Sequence, residues 1–254
     1  MNDSDDWTPL HGGNVNTVSR RGEIVRRELG AASPAVHQLL GHLEARALPL
    51  VPRLQGHDAR HEYLTYLPGA PVLRPWPDAV RGRGEAWLTD LGGWLRGYHD
   101  AVRGFRVKGA PFLWGPAEPD EKMLVTHGDL GPWNLLHLSG RLTGVIDWDL
   151  ARYGNPLDDV VELALEALPL HRRHEETLIE AERELLEARL ALFCQAYGVL
   201  VRNVTGHVPV YLRRVIDDTR NLAARGVEPF AAFERGGMSA GLEDDLRYCL
   251  HAWL

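Results

Sequence analysis

The sequence predicts an α+β protein of two unequal parts, a small β-rich N-terminal unit and a larger, mainly helical C-terminal one. Three observations carry this. Extended segments punctuated by glycine and proline surround a single helix up to Leu67; the stretch "GAPVLRPWPDAVRGRG" then reads as a crossover; apolar residues at helical spacing dominate afterwards. The expected division is residues 1–67 and residues 68–254.

Within the first part, "HGGNVNTVSRRGEIVRREL" reads as a hairpin. Gly12-Gly13-Asn14 permit unusual backbone angles, Val15 to Ser19 is extended, Arg21-Gly22 turns, and Glu23 to Arg27 returns. A helix follows, with Ser33 as the expected N-cap, Pro34 at the first helical position, and Val36, Leu39, Leu40 and Leu43 forming one apolar stripe. Two further extended pieces, Leu50 to Leu54 and Arg60 to Leu67, end at Pro68-Gly69. In the second part Trp87, Leu91, Trp94, Leu95, Tyr98 and Val102 mark a long helix. The same spacing returns in about 172–198, 208–224 and 242–254.

Composition narrows the function classes. A chain of 254 residues, 44% hydrophobic and 25% charged, is an ordinary globular protein. No run approaches the roughly 18 apolar residues of a membrane span. The opening "MNDSDDW" is neither a secretion signal nor a transit peptide, so a cytoplasmic protein is expected. A net charge of -7 argues against a nucleic-acid partner and fits a cationic small molecule better. Cys194 and Cys249 read as buried thiols, and the tryptophans as core. No G-x-x-x-x-G-K-[ST] or G-x-S-x-G run occurs, and His171-Arg172-Arg173-His174 reads as a solvated face. The oligomeric state is left open.

One stretch interrupts the helical part: "VTHGDLGPWNLLHLSGRLTGVIDWDLARYGNP", from Val125 to Pro156. Met123 to Thr126 is a short strand entering a loop, and Leu135 to Leu138 and Leu142 to Ile146 form a hairpin about Ser139-Gly140. A hairpin brings its outer ends together, so Asn134 and Asp147 become neighbours, with Asp129 in the loop just before. Such oxygen donors suit a hard cation like Mg²⁺, which is commonly held by one or two carboxylates and substrate phosphates.

"HGDLGPWN" followed by "IDWD" and "YGNPLDDV" resembles the signatures of the aminoglycoside phosphotransferase and choline kinase superfamily, relatives of the protein kinases. The resemblance implies a two-lobed protein-kinase-like fold, with the nucleotide bound by the N-terminal lobe and the acceptor site built on the C-terminal one. It implies transfer of the γ-phosphate of ATP, or another nucleoside triphosphate, with Mg²⁺ to a hydroxyl of a small molecule, aminoglycoside-like or an amino-alcohol. The alternatives are a metabolite kinase of the choline, thiamine or sugar-amine type and a catalytically weak nucleotide-binding pseudokinase.

The roles implied are specific. Asp129 would take or orient the proton of the attacking hydroxyl, His127 would buttress the loop, Asn134 and Asp147 would hold Mg²⁺, and Asp149 would assist less directly. The segment "HGGNVNTV" would stand where a glycine-rich loop covers the phosphates, and the backbone of Thr65 and Leu67 would meet the adenine edge. The family usually places a lysine, sometimes an arginine, on the strand after that loop. Of the 28 basic residues here only Lys108 and Lys122 are lysines, so an arginine of "EIVRR" must serve: Arg26 in the first instance, Arg27 in the second, since alternation sends them to opposite faces. The glutamate expected on the following helix is missing, and His37 or Gln38 stands in its place. Asp159 is expected to cap the helix "VVELALEAL". Acidic residues at Asp158, Asp159, Glu162, Glu166, Glu243, Asp244 and Asp245 are candidates to face a cationic acceptor.

Overall fold

A computed structural model describes residues 7–10, 18–72, 85–168 and 180–252. The proposed glycine-rich turn of Gly12 to Val15, most of the crossover and the His171–His174 run lie outside the described residues. Five strands, Thr8–Pro9 (β1), Ser19–Arg21 (β2), Ile24–Glu28 (β3), Leu54–His57 (β4) and His61–Thr65 (β5), form one antiparallel sheet in the order β1-β2-β3-β5-β4. The register between β3 and β5 sets Arg27 directly opposite Glu62 and Arg26 opposite Tyr63.

Helix α1, Ser33–Ala45, joins β3 to β4 and buries the expected stripe of Val36, Leu39, Leu40 and Leu43 completely or nearly so. Its start differs by one residue from expectation. Ser33 lies inside the helix, and its hydroxyl accepts from Gly30 N at 2.9 Å instead of capping the first turn. The fourth strand is also displaced, from Leu50–Leu54 to Leu54–His57. The Leu50 carbonyl accepts from Val145 N at 2.8 Å, so this end of the segment pairs with a hairpin of the other lobe rather than with β5.

The C-terminal lobe is mainly helical: Glu85–Ala101 (α2), Pro156–Ala167 (α3), Glu180–Tyr197 (α4), Val201–Ala224 (α5), Phe230–Arg235 (α6) and Met238–Ala252 (α7). Ala70–Pro71 (β6) pairs with the first strand of the hairpin Leu135–Leu138 (β8) and Arg141–Val145 (β9), and Leu124–Thr126 (β7) pairs with Arg152–Gly154 (β10). The α2 stripe is core, with Trp87, Leu91, Leu95, Tyr98 and Val102 wholly enclosed. Each such side chain contributes about 1.5–3 kcal/mol on burial. Trp148 packs edge-on against Tyr98 at 5.2 Å between centroids and so ties the turn after Asp147 to this core.

Helices α2 and α4 approach so closely at Gly92 that a Cβ there would lie 2.7 Å from Phe193 O and 2.8 Å from Ala196 Cβ, whereas at Gly93 it would meet nothing within 4 Å. Adjacent glycines therefore carry opposite expectations. Gly92→Ala should lower stability by about 1–3 kcal/mol through overpacking. Gly93→Ala should raise it by about 0.5–1 kcal/mol through helix propensity. Paired thermal unfolding curves check both signs.

Candidate functional site

Strand β7 delivers the chain into the loop His127 to Asn134. His127 is wholly buried. Its Nε2 donates to Ile146 O at 3.1 Å, while its Nδ1 accepts from Asp129 N at 3.3 Å. Burial pushes its pKa down to about 4, so the ring stays neutral and acts on the loop rather than on anything bound in the cleft. Asp159 is not a helix cap, contrary to expectation. Asn155 caps α3, in a reciprocal pair with Asp158. The Asp159 carboxylate instead accepts from His127 N at 3.0 Å and Gly128 N at 3.3 Å, and its Oδ2 also meets His99 Nε2 at 3.0 Å. It holds the loop by its backbone from behind.

Asp129, Asn134 and Asp147 do converge. Asn134 Nδ2 donates to Asp129 Oδ2 at 2.8 Å and to Asp129 O at 2.9 Å, which turns the amide oxygen away from that carboxylate. Ile146 N donates to Asn134 O at 3.0 Å, closing the hairpin end that carries Asp147. Asp147 takes a left-handed backbone, φ 64° and ψ 71°, unusual for a residue with a side chain. Burial and the neighbouring Asp147 charge push the Asp129 carboxyl up to about 7, against the hydrogen bonds from Asn134 and Trp133. Asp147 is also raised, by burial and by Asp149, with Arg27 opposing. Among the described residues no three His, Cys, Asp or Glu side chains form a metal cage. An amide oxygen beside a carboxylate is a donor set that fits Mg²⁺ completed by phosphates.

The arginine order is reversed. Arg26 faces away from the cleft, its guanidinium 4.4 Å over the Trp7 ring and its Nε 3.3 Å from Ser19 Oγ. Arg27 points inward. It donates from Nε to Glu62, from NH1 to Asp147 Oδ1 at 3.1 Å, and from NH1 and NH2 to the two oxygens of Asp149 at 3.1 and 2.7 Å. Burial works against this charge, but Asp149, Glu62 and Asp147 more than offset it, so the Arg27 pKa is raised. Alternation correctly predicted opposite faces; which face looks into the cleft depends on how the sheet sits on the other lobe.

Glu62 supplies the carboxylate absent from α1. It is fully buried, and its second oxygen lies 2.5 Å from His37 Nε2, so the helix position expected to carry an acid carries the acid's partner instead. Nothing local in the sequence points to Glu62, which lies 35 residues from Arg27. At the end of β5, Thr65 N donates to Arg53 O and its hydroxyl accepts from Arg53 N, each at 2.9 Å, so its backbone amide is taken up within the sheet. Leu67 lies over Gly144 of β9, where a Cβ would come within 2.9 Å of its Cδ1.

Most of the acidic candidates are already paired. Asp158 is bound by Arg214 and, at 3.0 Å, by His207; Glu243 by Arg220 at 2.8 Å; Asp244 by Arg247. Glu162 and Glu166 of α3 couple to the loop: the Asp129 charge bears on the first, and the second bears on Asp129. Burial, then Asp129 and Asp159, push Glu162 up to about 8.

Such an arrangement, a buried-loop carboxylate beside an amide and a second carboxylate under an antiparallel sheet, is the one implied by the resemblance to kinase-like phosphotransferases of small molecules. Residues 110–200 match the model of the phosphotransferase enzyme family. The chain is 35% identical over 163 residues to the trifolitoxin immunity protein of Rhizobium leguminosarum bv. trifolii, a match covering 61% of this chain and 58% of the length of that relative. It superposes on a choline/ethanolamine kinase family protein from Mesorhizobium loti with a TM-score of 0.57 at 17% identity, covering 97% of this chain and 92% of the other. An amicoumacin kinase solved with AMP-PNP, Ca²⁺ and its ligand gives a TM-score of 0.63 at 13% identity, covering 96% and 89%. At these identities the two structures speak for the fold. The family match over residues 110–200 and the likeness in fold agree with the resemblance read from the sequence.

Glu162 gives a stability signature. Its folded pKa of about 8 stands above the ordinary 4.5. Ionisation is therefore resisted in the folded chain, and its destabilising effect is absent below about pH 4.5 and grows as pH rises toward 8. Glu162→Gln should match the parent in Tm near pH 4.5 and exceed it by a few degrees near pH 8.5. A gap that stays constant across that range would show that the carboxyl titrates normally.

Proposed function

We propose that this chain transfers the γ-phosphate of ATP, with Mg²⁺, to a hydroxyl of a small amine-bearing molecule. The observation that carries this reading is the Asp129 carboxyl, held by Asn134, next to Asp147, and raised to about 7 where a proton acceptor works at neutral pH. In the step envisaged, the acceptor oxygen forms a bond to the γ-phosphorus and its proton passes to Asp129. The bond from the γ-phosphorus to the β–γ bridging oxygen breaks, and its electron pair leaves with ADP. Asn134 Oδ1 and Asp147 would hold Mg²⁺, which when bound offsets phosphate charge. Arg27, fixed by Glu62, would face the phosphates, and the Thr65 carbonyl and Leu67 backbone the adenine. On this reading residues 1–67 are the nucleotide lobe and 68–254 the acceptor lobe.

Glu162 and Glu166 beside Asp129 favour a cationic acceptor, and the likeness to an immunity protein and to an amicoumacin kinase supports an antimicrobial one over a metabolite. The pseudokinase reading rested on a missing ion pair, and Arg27 with Glu62 removes that motive.

Incubation with Mg-ATP and a panel of aminoglycosides, macrolides, peptide antibiotics and amino-alcohols, read by mass spectrometry, should give an adduct heavier by one phosphate. Asp129→Asn should keep the fold and lower kcat about a hundredfold or more; turnover near the parent's would remove Asp129 from the mechanism. Arg27→Lys should raise the KM for ATP, since a point ammonium does not replace a fork that reaches three carboxylates, while Arg26→Met should leave it unchanged. Equal effects from both would mean that neither side chain meets the phosphates.

A further inference from the structure

Trp133 departs from the packing of the other large aromatics. Trp87 and Trp148 are 0% and 1% exposed, whereas Trp133 is 44% exposed, in the short 3-10 turn Pro132–Asn134 of the catalytic loop. An indole so open to solvent gains little from burial. It is nevertheless held in place. Its Nε1 donates to Asp129 Oδ1 at 3.2 Å, and its six-membered ring lies across Gly131, where a Cβ would collide with Cζ2, Cε2 and Cη2. The loop backbone is thus open at position 131 for this ring to lie down and reach the carboxylate.

Asp129 is consequently gripped from both sides, Oδ2 by Asn134 at 2.8 Å and Oδ1 by Trp133. Two donors on two oxygens fix both the side-chain rotamer and the rotation of the carboxylate plane. A carboxylate oxygen accepts two hydrogen bonds, so Oδ1 keeps a lone pair for an incoming hydroxyl, pointed by the indole. We propose that Trp133 is a positioning residue for Asp129, its indole N–H aiming that free lone pair at the attacking oxygen. This rests on the role given to Asp129 above.

The test uses the full chain, Mg-ATP, and water as the acceptor, with ADP release as the readout. Trp133→Phe keeps the ring and removes the donor; Gly131→Ala keeps the donor and displaces the ring. Both should lower kcat about five- to tenfold, the scale of one hydrogen bond to a charged group, with the KM for ATP and the Tm unchanged. In ¹⁵N-labelled protein, the indole cross-peak lost in Trp133→Phe should move upfield in Asp129→Ala. If Asp129→Asn still releases ADP at the parent rate, the reading of Asp129 falls and the proposal with it. If that variant is inactive while Trp133→Phe and Gly131→Ala turn over normally, or if the cross-peak is indifferent to Asp129→Ala, Trp133 does not position the carboxylate. Parallel losses of kcat, ATP affinity and Tm would make it a structural residue.

Discussion

The guanidinium of Arg27 spans the boundary between the five-stranded sheet and the turn that carries Asp147 and Asp149, and the geometry of the cleft depends on it. Its charge is almost out of water, 7% exposed, and it faces three carboxylates. A buried cation is tolerable only when its donors are taken up, and a fork of five N–H groups can meet several acceptors at once. Glu62 anchors the inner end of this arrangement and is anchored in turn by His37 of α1. The ion pair is thereby drawn from two strands in register, with the helix supporting it from outside. Its integrity follows the β3–β5 pairing more than the position of α1.

Asp159 performs the matching task from the opposite side. Its carboxylate accepts from two consecutive loop amides, and behind it His99 is held by Tyr197 at 2.8 Å. The loop is therefore fixed through backbone atoms, which leaves the side chains of Asp129 and Asn134 free to face the cleft. His127 completes the support by spanning the loop and the hairpin with its two ring nitrogens, which requires the neutral ring that burial imposes.

Charge on α3 and α7 is sorted by pairing. Asp158 is paired with Arg214 and hydrogen-bonded to His207, and Glu243 and Asp244 of α7 are paired with Arg220 and Arg247. Near Asp129 in its electrostatics stand Glu162 and Glu166, one turn apart on α3. Enclosure first, and then the Asp129 and Asp159 charges, raise the Glu162 carboxyl.

The sequence by itself determined the fold class, the strand-to-helix order of the lobes and the Asp129, Asn134 and Asp147 constellation. These are local matters: offsets of five residues within a loop, a two-residue turn at Ser139-Gly140, and apolar periodicities that hold wherever a helix is buried on one face. Exposed Trp133 broke the default of a buried aromatic because its ring lies over Gly131 in the loop itself, a three-dimensional arrangement that composition does not encode. Tertiary structure alone decided the rest. Alternation states that Arg26 and Arg27 face opposite ways, but only the seating of the sheet on the Asp147 turn selects Arg27. Glu62 became its partner because β5 inserts beside β3, Asp159 became a loop clamp because α3 packs behind β7, and the fourth strand began late because Val145 claimed the Leu50 carbonyl. Each outcome joins residues far apart in the chain, where the deciding quantity is which groups the packed fold brings within hydrogen-bonding distance.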